Sequence, residues 1–302
     1  MTSILELKEE RLKKLQRLKE NGFNPFPAHS DKKISIKNFL ENFENIETTI
    51  IAGRIMSGRG QGKLIFFDIF DGSDESNELS KVQVVIKNPE SPSEVFDFYN
   101  NYLDIGDFVE IEGEKYITKT GQKSILVKNI KILTKSLLPL PDKYHGLQDE
   151  ELKMRYRYLD MLTDNEKREL FFKKAKFWKV VRQFLDNKGM FEVETPTLET
   201  TTGGAEARPF KTHQNDYDME VFLRISIGEL WQKRLMAAGY NGTYEIGRAY
   251  RNEGSSPEHL QEFTNCEFYM PYADYKIGMQ VVRELYTKIA KEVFGKTKFE
   301  MK

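Results

Sequence analysis

The stretch TYEIGRAYRNEGSSPEHLQEFTNCEFYMPYADY, from Thr243 to Tyr275, predicts a β-hairpin with one apolar face and one charged face. Side chains alternate between the two faces of a strand, which gathers Arg251, Phe263, Glu267 and Tyr269 on the charged side. An arginine, an aromatic ring and a carboxylate on a rigid platform can bind a phosphate, stack on a base and hold a cation. The alternative interpretation is a solvent-exposed hairpin that carries ordinary charges.

The order of these residues resembles the second signature motif of the class II aminoacyl-tRNA synthetases, in the form found in the lysyl family. The matching elements are Arg251-Asn252-Glu253-Gly254, His259, Glu262-Phe263-Thr264, Glu267 and Ala273-Asp274-Tyr275. The resemblance implies an ATP site in which Arg251 is the catalytic residue and holds the α-phosphate. It also implies that Phe263 stacks on the adenine, that Glu253 meets the adenine amino group and that His259 lies near the outer phosphates. Glu267 and Tyr269 are then expected to line a lysine pocket.

Two further residues upstream of the hairpin fit the same family. Gly204 lies in a glycine-containing loop, and Glu229 begins the helix after a strand predicted over Val221–Ser226. By themselves, paired glycines indicate a turn, and a carboxylate at a helix start complements the helix dipole. The resemblance implies that Gly204 contacts lysine and that Glu229 binds its amino group. The family has a proline before this glutamate, where the present chain has Ile227-Gly228.

A helix predicted over Glu166–Lys188 and a strand predicted over Met190–Leu198 precede this region. The segment Glu192-Val193-Glu194-Thr195-Pro196 resembles the first class II motif, which builds the dimer interface in the family. The resemblance therefore implies a homodimer.

The N-terminal half of the sequence has a different pattern. It predicts short strands in which apolar and polar residues alternate, with one intervening helix at Ser93–Leu103. The strands are predicted over Ile50–Met56, Leu64–Phe70, Val82–Lys87, Phe108–Thr118 and Ser124–Ile132. Five strands with one intervening helix predict an OB-fold barrel. Alternation turns Phe66 and Gln83 outward on adjacent strands, where a ring and an amide suit single-stranded base recognition. Alternatively, Phe66 caps a barrel end or packs on the second domain.

In the class II family, an aromatic residue and a glutamine at these places bind the anticodon. The resemblance thus implies that Phe66 and Gln83 contact tRNA, with Arg59 as a further anticodon contact. A helix over about Ile4–Asn21 precedes the barrel, and its basic face either contacts RNA or is simply the solvated side of a surface helix.

These patterns predict an α+β multidomain chain with an N-terminal helix, an OB-fold barrel and a partial class II catalytic domain built on an antiparallel sheet. The expected ranges are 1–45 for the helical extension, 46–136 for the barrel, 137–165 for a linker and 166–302 for the catalytic domain. The resemblance implies lysine, ATP with Mg²⁺, and tRNA(Lys) as substrates and partners. The family's third motif and its magnesium ligands are expected beyond residue 302, so the chain is expected to be a fragment with no metal ligand of its own.

Composition narrows the class of protein without deciding it. The formal net charge is −1, and the single cysteine excludes an intrachain disulfide and a cysteine-based zinc cluster. The start is a charged amphipathic helix and no apolar run is long enough to span a bilayer, so we expect a cytoplasmic protein without a membrane partner. Three alternatives stay open: an aspartyl- or asparaginyl-tRNA synthetase, a lysyl ligase that modifies a protein, and a non-catalytic module that binds tRNA or dimerises.

Overall fold

The computed structural model describes residues 3–61, 64–75, 78–141 and 147–300. It forms two compact units, Met1–Leu170 and Phe171–Lys302. The predicted linker includes residues 142–146, which lie outside the described residues. The division between the two units falls inside one long helix rather than at a predicted domain boundary. The predicted domain ranges therefore stay predictions. Among the described helices, none combines the length and apolar character needed to cross a membrane.

The first unit is built around a closed five-stranded barrel, with strand order β1-β2-β3-β5-β4. The strands are β1 Thr48–Gln61, β2 Leu64–Phe70, β3 Lys81–Lys87, β4 Phe108–Ile117 and β5 Lys123–Thr134. Helices α1 Ile4–Glu20 and α2 Ile36–Glu41 precede them, α3 Ser93–Tyr102 separates β3 from β4, and α4 Glu150–Arg155 and α5 Arg157–Thr163 follow. Closure leaves no free sheet edge, and it confirms the predicted OB-fold.

Strand alternation decides which side chains fill the barrel. Ile65, Phe67 and Ile69 of β2 are at most 2% exposed, as are Val82, Val84 and Ile86 of β3. These residues belong to one hydrophobic core together with Phe39 of α2 and Phe98 of α3. These residues alternate with Phe66 and Gln83 along their strands, so alternation predicts that they point into the barrel. Their burial confirms that prediction, because period-2 spacing places every second residue on the core face.

Helix α1 is tied to the barrel by charged side chains. Ser3 caps its start, with its hydroxyl accepting from the backbone N–H of Glu6 at 3.2 Å. Arg11 is buried and donates to three backbone carbonyls, those of Ile105, Ser136 and Leu138. The interpretation of a solvated basic face is thus wrong for Arg11, because its guanidinium is buried and its N–H groups donate to these carbonyls.

The second unit contains two small sheets and two long helices. Its elements are β6 Phe191–Glu192, β7 Leu198–Glu199, β8 Lys211–Gln214, β9 Met219–Leu223, α7 Glu229–Ala237, β10 Thr243–Tyr250, β11 Glu262–Tyr269 and α8 Tyr275–Phe294, preceded by α6 Asn165–Asn187, which begins in the first unit. Strands β11-β10-β6 form one sheet and β7-β9-β8 the other. β10 and β11 are antiparallel, as the hairpin prediction requires.

The apolar face of the hairpin packs against α6 and α8. Tyr244 is buried with Val181 and Leu185 of α6 and with Leu285 and Ile289 of α8. The hydroxyl of Tyr244 donates to the Asp186 carboxylate at 2.8 Å. Because the apolar face packs in this core, the opposite, charged face of the hairpin is the one available for the candidate site.

Two predicted strands differ in extent. The strand over Met190–Leu198 breaks into β6 and β7, which join different sheets. Pro196 lies in the break, and proline has no N–H with which to continue a ladder. The strand over Val221–Ser226 begins earlier than predicted, at Met219, and also ends earlier, at Leu223.

We predict that Lys135→Met destabilises the first unit. The Lys135 ammonium is fully buried between Asp107, at 2.7 Å, and Asp104, at 2.5 Å. Its loss leaves a buried carboxylate unpaired, which costs about 3–5 kcal/mol. Urea unfolding followed by circular dichroism measures this. Lys128→Met, which removes a partly exposed lysine of β5 whose partner Glu114 is also exposed, is the control and should cost less than about 1 kcal/mol. Equal losses would contradict the prediction.

Candidate active site and nucleic-acid face

The pocket face of the hairpin carries the predicted phosphate and base contacts side by side. Arg251 follows β10, and its guanidinium carbon lies 5.2 Å from the centre of the Phe263 ring. The Nε of Arg251 donates to the carbonyl of Ile225 at 3.3 Å. An arginine held flat over an aromatic ring leaves its outer N–H groups free to meet a phosphate.

Glu267 is the half-buried carboxylate of this face. Its Oε1 accepts from the backbone N–H of Ile227 at 3.0 Å and from Nδ2 of Asn265 at 3.2 Å. Burial raises the pKa of Glu267, and the negative charges of Glu229 and Glu245 act in the same direction. The Ile227 N–H and the Arg251 charge act against them, but the pKa stays above its ordinary value. A carboxylate in this state gains strongly from a bound cation.

Glu229 and Tyr269 complete the acidic part of the pocket. Glu229 begins α7 directly after Gly228, and its carboxylate pairs with the Lys233 ammonium one turn later. Burial, together with the charges of Glu229 and Glu267, raises the pKa of Tyr269 to about 12. The phenol therefore stays protonated at neutral pH and can donate a hydrogen bond into the pocket.

Gly204 lies against the same carboxylate. Its φ is +87°, and a Cβ there would come within 2.0 Å of the Ser226 hydroxyl and 2.3 Å of Oε2 of Glu229. Ser226 in turn donates to the carbonyl of Gly203 at 2.8 Å. The loop before β8 thus approaches the pocket so closely that only glycine fits.

Two of the predicted ATP contacts lie apart from this group, on the exposed connection between β10 and β11. Glu253 accepts from the backbone N–H of Arg208 at 3.2 Å, and His259 pairs through Nδ1 with the Ser256 hydroxyl at 2.7 Å. Within the described part of the chain, their hydrogen bonds are to this loop and Arg208 rather than to Arg251. Their roles stay predictions.

A buried polar network beneath the pocket was missed by the sequence patterns. Arg224 and Glu245 form an ion pair at 2.5 Å, and the Thr195 hydroxyl donates to Glu245 at 2.6 Å. The available signal was an arginine inside the apolar run VFLRIS, at residues 221–226. Nothing in the spacing identifies its partner, because Glu245 is distant in sequence.

The described residues contain no group of three or more histidine, cysteine, aspartate or glutamate side chains placed to hold a metal ion. The residues of this chain that the structure describes therefore do not fit a magnesium site, and we assign no Mg²⁺ ligand among them.

The outer face of the barrel brings together two of the three predicted anticodon residues. Arg59 of β1 lies opposite Phe66 of β2, with its guanidinium carbon 5.7 Å from the ring centre. Arg59 is exposed and Phe66 is half-buried. A cation beside an accessible ring suits a phosphate and a stacked base.

The predicted exposure of Gln83 is wrong. Its side chain is only 5% exposed, and its Oε1 accepts from the Ser124 hydroxyl of β5 at 3.2 Å. In the ladder Gln83 lies opposite Asp68, whereas Phe66 lies opposite Val85. Gln83 lies between Asp68 of β2 and Ser124 of β5, and its amide is used in the hydrogen bond to Ser124 rather than presented to solvent.

Comparison with known proteins agrees with this architecture. A family model described as "tRNA synthetases class II (D, K and N)" matches residues 149–302, and one described as "OB-fold nucleic acid binding domain" matches residues 49–133. The chain therefore belongs to the class II tRNA synthetases of the D, K and N group, with an OB-fold domain before the catalytic domain.

Individual relatives narrow the similarity to one member of that group. The chain is 40% identical over 303 residues to the lysine–tRNA ligase of Thermotoga maritima, covering 98% of this chain and 59% of that protein. It is 42% identical over 292 residues to the lysine–tRNA ligase of Carboxydothermus hydrogenoformans, covering 96% and 58%. With that of Clostridium botulinum the identity is 41% over 298 residues, covering 98% and 58%. The chain thus spans less than two thirds of the length of the curated relatives it matches.

We predict that Gly204→Ala destabilises the second unit more than Gly239→Ala. Both glycines have φ near +88°, so both variants strain the backbone by about 1–3 kcal/mol. Only at Gly204 does the added methyl also overlap Ser226 and Glu229, whereas nothing lies within 4 Å at Gly239. Urea unfolding of both variants measures the difference, which we expect to be about 1 kcal/mol or more. Equal free energies of unfolding would contradict the close approach.

Proposed function

We propose that this chain provides the lysine- and ATP-binding part of a lysine–tRNA ligase. The observation that carries the proposal is the closeness of two carboxylates. Glu267 accepts from the backbone N–H of Ile227, two residues before Glu229, and the charges of both carboxylates raise the pKa of Tyr269. Lysine has two ammonium groups, and two carboxylates complement both of them. Gly204 would contact the same substrate from the covering loop.

This charge pattern also supplies selectivity. A neutral amino acid leaves one half-buried carboxylate unpaired, which is costly, and an acidic side chain is repelled by Glu267. The aspartyl and asparaginyl members of the family are therefore disfavoured on chemical grounds. A lysyl ligase acting on a protein is disfavoured by the barrel at residues 49–133.

The proposed reaction has two steps. The lysine carboxylate attacks the α-phosphorus of ATP, which gives lysyl-adenylate and releases pyrophosphate. A hydroxyl of the terminal adenosine of tRNA(Lys) then takes the acyl group and releases AMP. In the first step Arg251 would neutralise the α-phosphate while Phe263 stacks on the adenine, with Glu253 and His259 completing the ATP site. Positioning and charge neutralisation are sufficient for such a transfer, so no general base is assigned.

ATP would enter as its Mg²⁺ complex, and the metal would offset phosphate charge. Because the described residues do not fit a metal site, no step is assigned to it here. We further infer that the barrel binds the anticodon of tRNA(Lys) through Arg59 and Phe66. Gln83 would take part only through an edge of its largely covered amide.

We also infer a homodimer formed through α6 and the segment after it. Its support is apolar exposure at the beginning of the second unit, where the Phe171 side chain is 47% exposed and Phe191 is 44% exposed. Because the chain covers under two thirds of its relatives, a non-catalytic module that binds tRNA or dimerises is the second candidate. Lysine-dependent ATP–pyrophosphate exchange separates the two candidates.

We predict that Arg251→Ala abolishes lysine-dependent ATP–pyrophosphate exchange in the full-length enzyme. Loss of one charge-assisted phosphate contact in the transition state costs about 3–4 kcal/mol, or roughly a hundredfold or more in rate. Arg248→Ala is the matched control: Arg248 is on the opposite face of the same hairpin, where its guanidinium donates to the Thr264 hydroxyl. Exchange near the parental rate in Arg251→Ala would contradict the assignment.

We predict that Phe66→Ala weakens binding of tRNA(Lys). A stacked base contributes about 1–3 kcal/mol, so the dissociation constant should rise roughly 5- to 150-fold. Filter binding at one fixed salt concentration measures it. Leu64→Ala removes an exposed apolar side chain from the same face of β2 and should leave the affinity unchanged. Parental affinity in Phe66→Ala would remove the anticodon assignment.

A further inference from the structure

The Arg224–Glu245 pair is more deeply buried than any carboxylate of the pocket it underlies. Both side chains are 5% exposed, and Nη1 of Arg224 lies 2.5 Å from Oε1 of Glu245. The second carboxylate oxygen accepts from the Thr195 hydroxyl at 2.6 Å, and Nε of Arg224 donates to the carbonyl of Arg248 at 2.9 Å. The pair is therefore held at both ends by further hydrogen bonds.

Its position in the hairpin matters for the pocket. Glu245 and Glu267 lie directly opposite each other in the β10–β11 ladder, on the same face. Like charges at such a position repel. Arg224 neutralises Glu245, and it reaches that place across Gly247, where a Cβ would come within 2.2 Å of Nη2. Glu267 is thereby left as the unpaired carboxylate of the two.

The same network supports the turn that carries Glu229 and donates a hydrogen bond to Glu267. Gly228 has φ +62°, and a Cβ there would come within 2.4 Å of the Thr195 hydroxyl and 2.8 Å of Glu245 Oε2. The residue before it, Ile227, donates its N–H to Glu267, and the residue after it is Glu229. A shift of this turn would move Glu229 and the N–H that holds Glu267, and would thereby change the spacing of the two carboxylates.

We propose that Arg224 and Glu245 are a positioning pair that sets the charge and the spacing of the Glu229–Glu267 pocket, and thereby its selectivity for an amino acid with two ammonium groups. The inference rests on the proposed lysine pocket. Neither residue contacts the substrate in this proposal; they act through Glu267 and through the turn at Gly228.

The charge balance at Glu267 can be read by titration. The charged groups that influence it are Glu229 of α7, Glu245 of β10 and Arg251 after β10, and the titratable neighbours that Glu267 itself influences on β11 are Tyr269 and Cys266. The pKa of Glu267 is raised, so lysine binding should be present above that pKa and be lost as the pH falls through it. The pH of half-maximal binding therefore reports the charges that surround Glu267.

The test is calorimetric titration of the 302-residue chain with L-lysine between pH 4 and 8, with L-norleucine as the isostere that lacks the side-chain ammonium. Arg224→Met leaves Glu245 uncompensated, so the midpoint should rise by about one pH unit. Glu245→Gln leaves Arg224 uncompensated, so the midpoint should fall by about as much. A purely structural role would not shift the two variants in opposite directions.

The double variant Arg224→Met/Glu245→Gln removes both charges and keeps an acceptor for Thr195. Its midpoint should return to the parental value, while lysine binding stays about tenfold weaker because the hydrogen bonds from Arg224 to Thr195 and Arg248 are lost. Circular dichroism establishes folding, and the double variant carries the test if a single variant does not fold. Arg248→Met, the same substitution on the opposite face, should match the parent.

The outcomes separate the inference from the function on which it rests. A parent chain that binds lysine no better than norleucine overturns both. A lysine-selective parent overturns the inference alone if the single variants share its midpoint or shift in the same direction. Parental affinity in the double variant, or its failure to fold, also overturns the positioning role.

Discussion

The repulsion between Glu245 and Glu267, which face each other across the β10–β11 ladder, is the constraint around which the second unit's site is organised. One of the two is neutralised by a buried arginine, and the other keeps a raised pKa that favours a cationic ligand. That solution requires a glycine at position 247 to admit the arginine, and a positive-φ glycine at 228 to pack on the pair. The charge state of Glu267, the backbone at the two glycines and the proposed preference for a cationic ligand therefore depend on the same network.

The hairpin can carry this charged face because its other face packs against two helices. Tyr244 and its neighbours pack against α6 and α8, so the platform is rigid without any contribution from the pocket. Rigidity matters here because the proposed chemistry depends on holding two substrates in place rather than on a proton acceptor. The barrel of the first unit likewise combines a packed core with a functional surface. Its apolar residues fill the interior, and the Arg59–Phe66 pair lies on the outside.

Much of the fold follows from periodicity. Strand β2 has the predicted boundaries, and the other barrel strands and helices α1, α3 and α6 begin or end within a few residues of the prediction, since alternation and helix-stop signals are local. The failures occur where non-local pairing decides. Around Pro196 the chain leaves one sheet for another, and β9 ends at Leu223, before the predicted end at Ser226.

The sequence by itself determined the barrel, the hairpin, its two faces and the family to which the residues on them belong. Those properties depend on the order of residues along a single strand or loop, and that order can be read directly from the sequence. The tertiary structure alone decided that Gln83 is covered, that Arg11 is buried and that Arg224 pairs with Glu245. Alternation assigns a side chain to a face, but whether that face meets water or another segment depends on packing between distant parts of the chain.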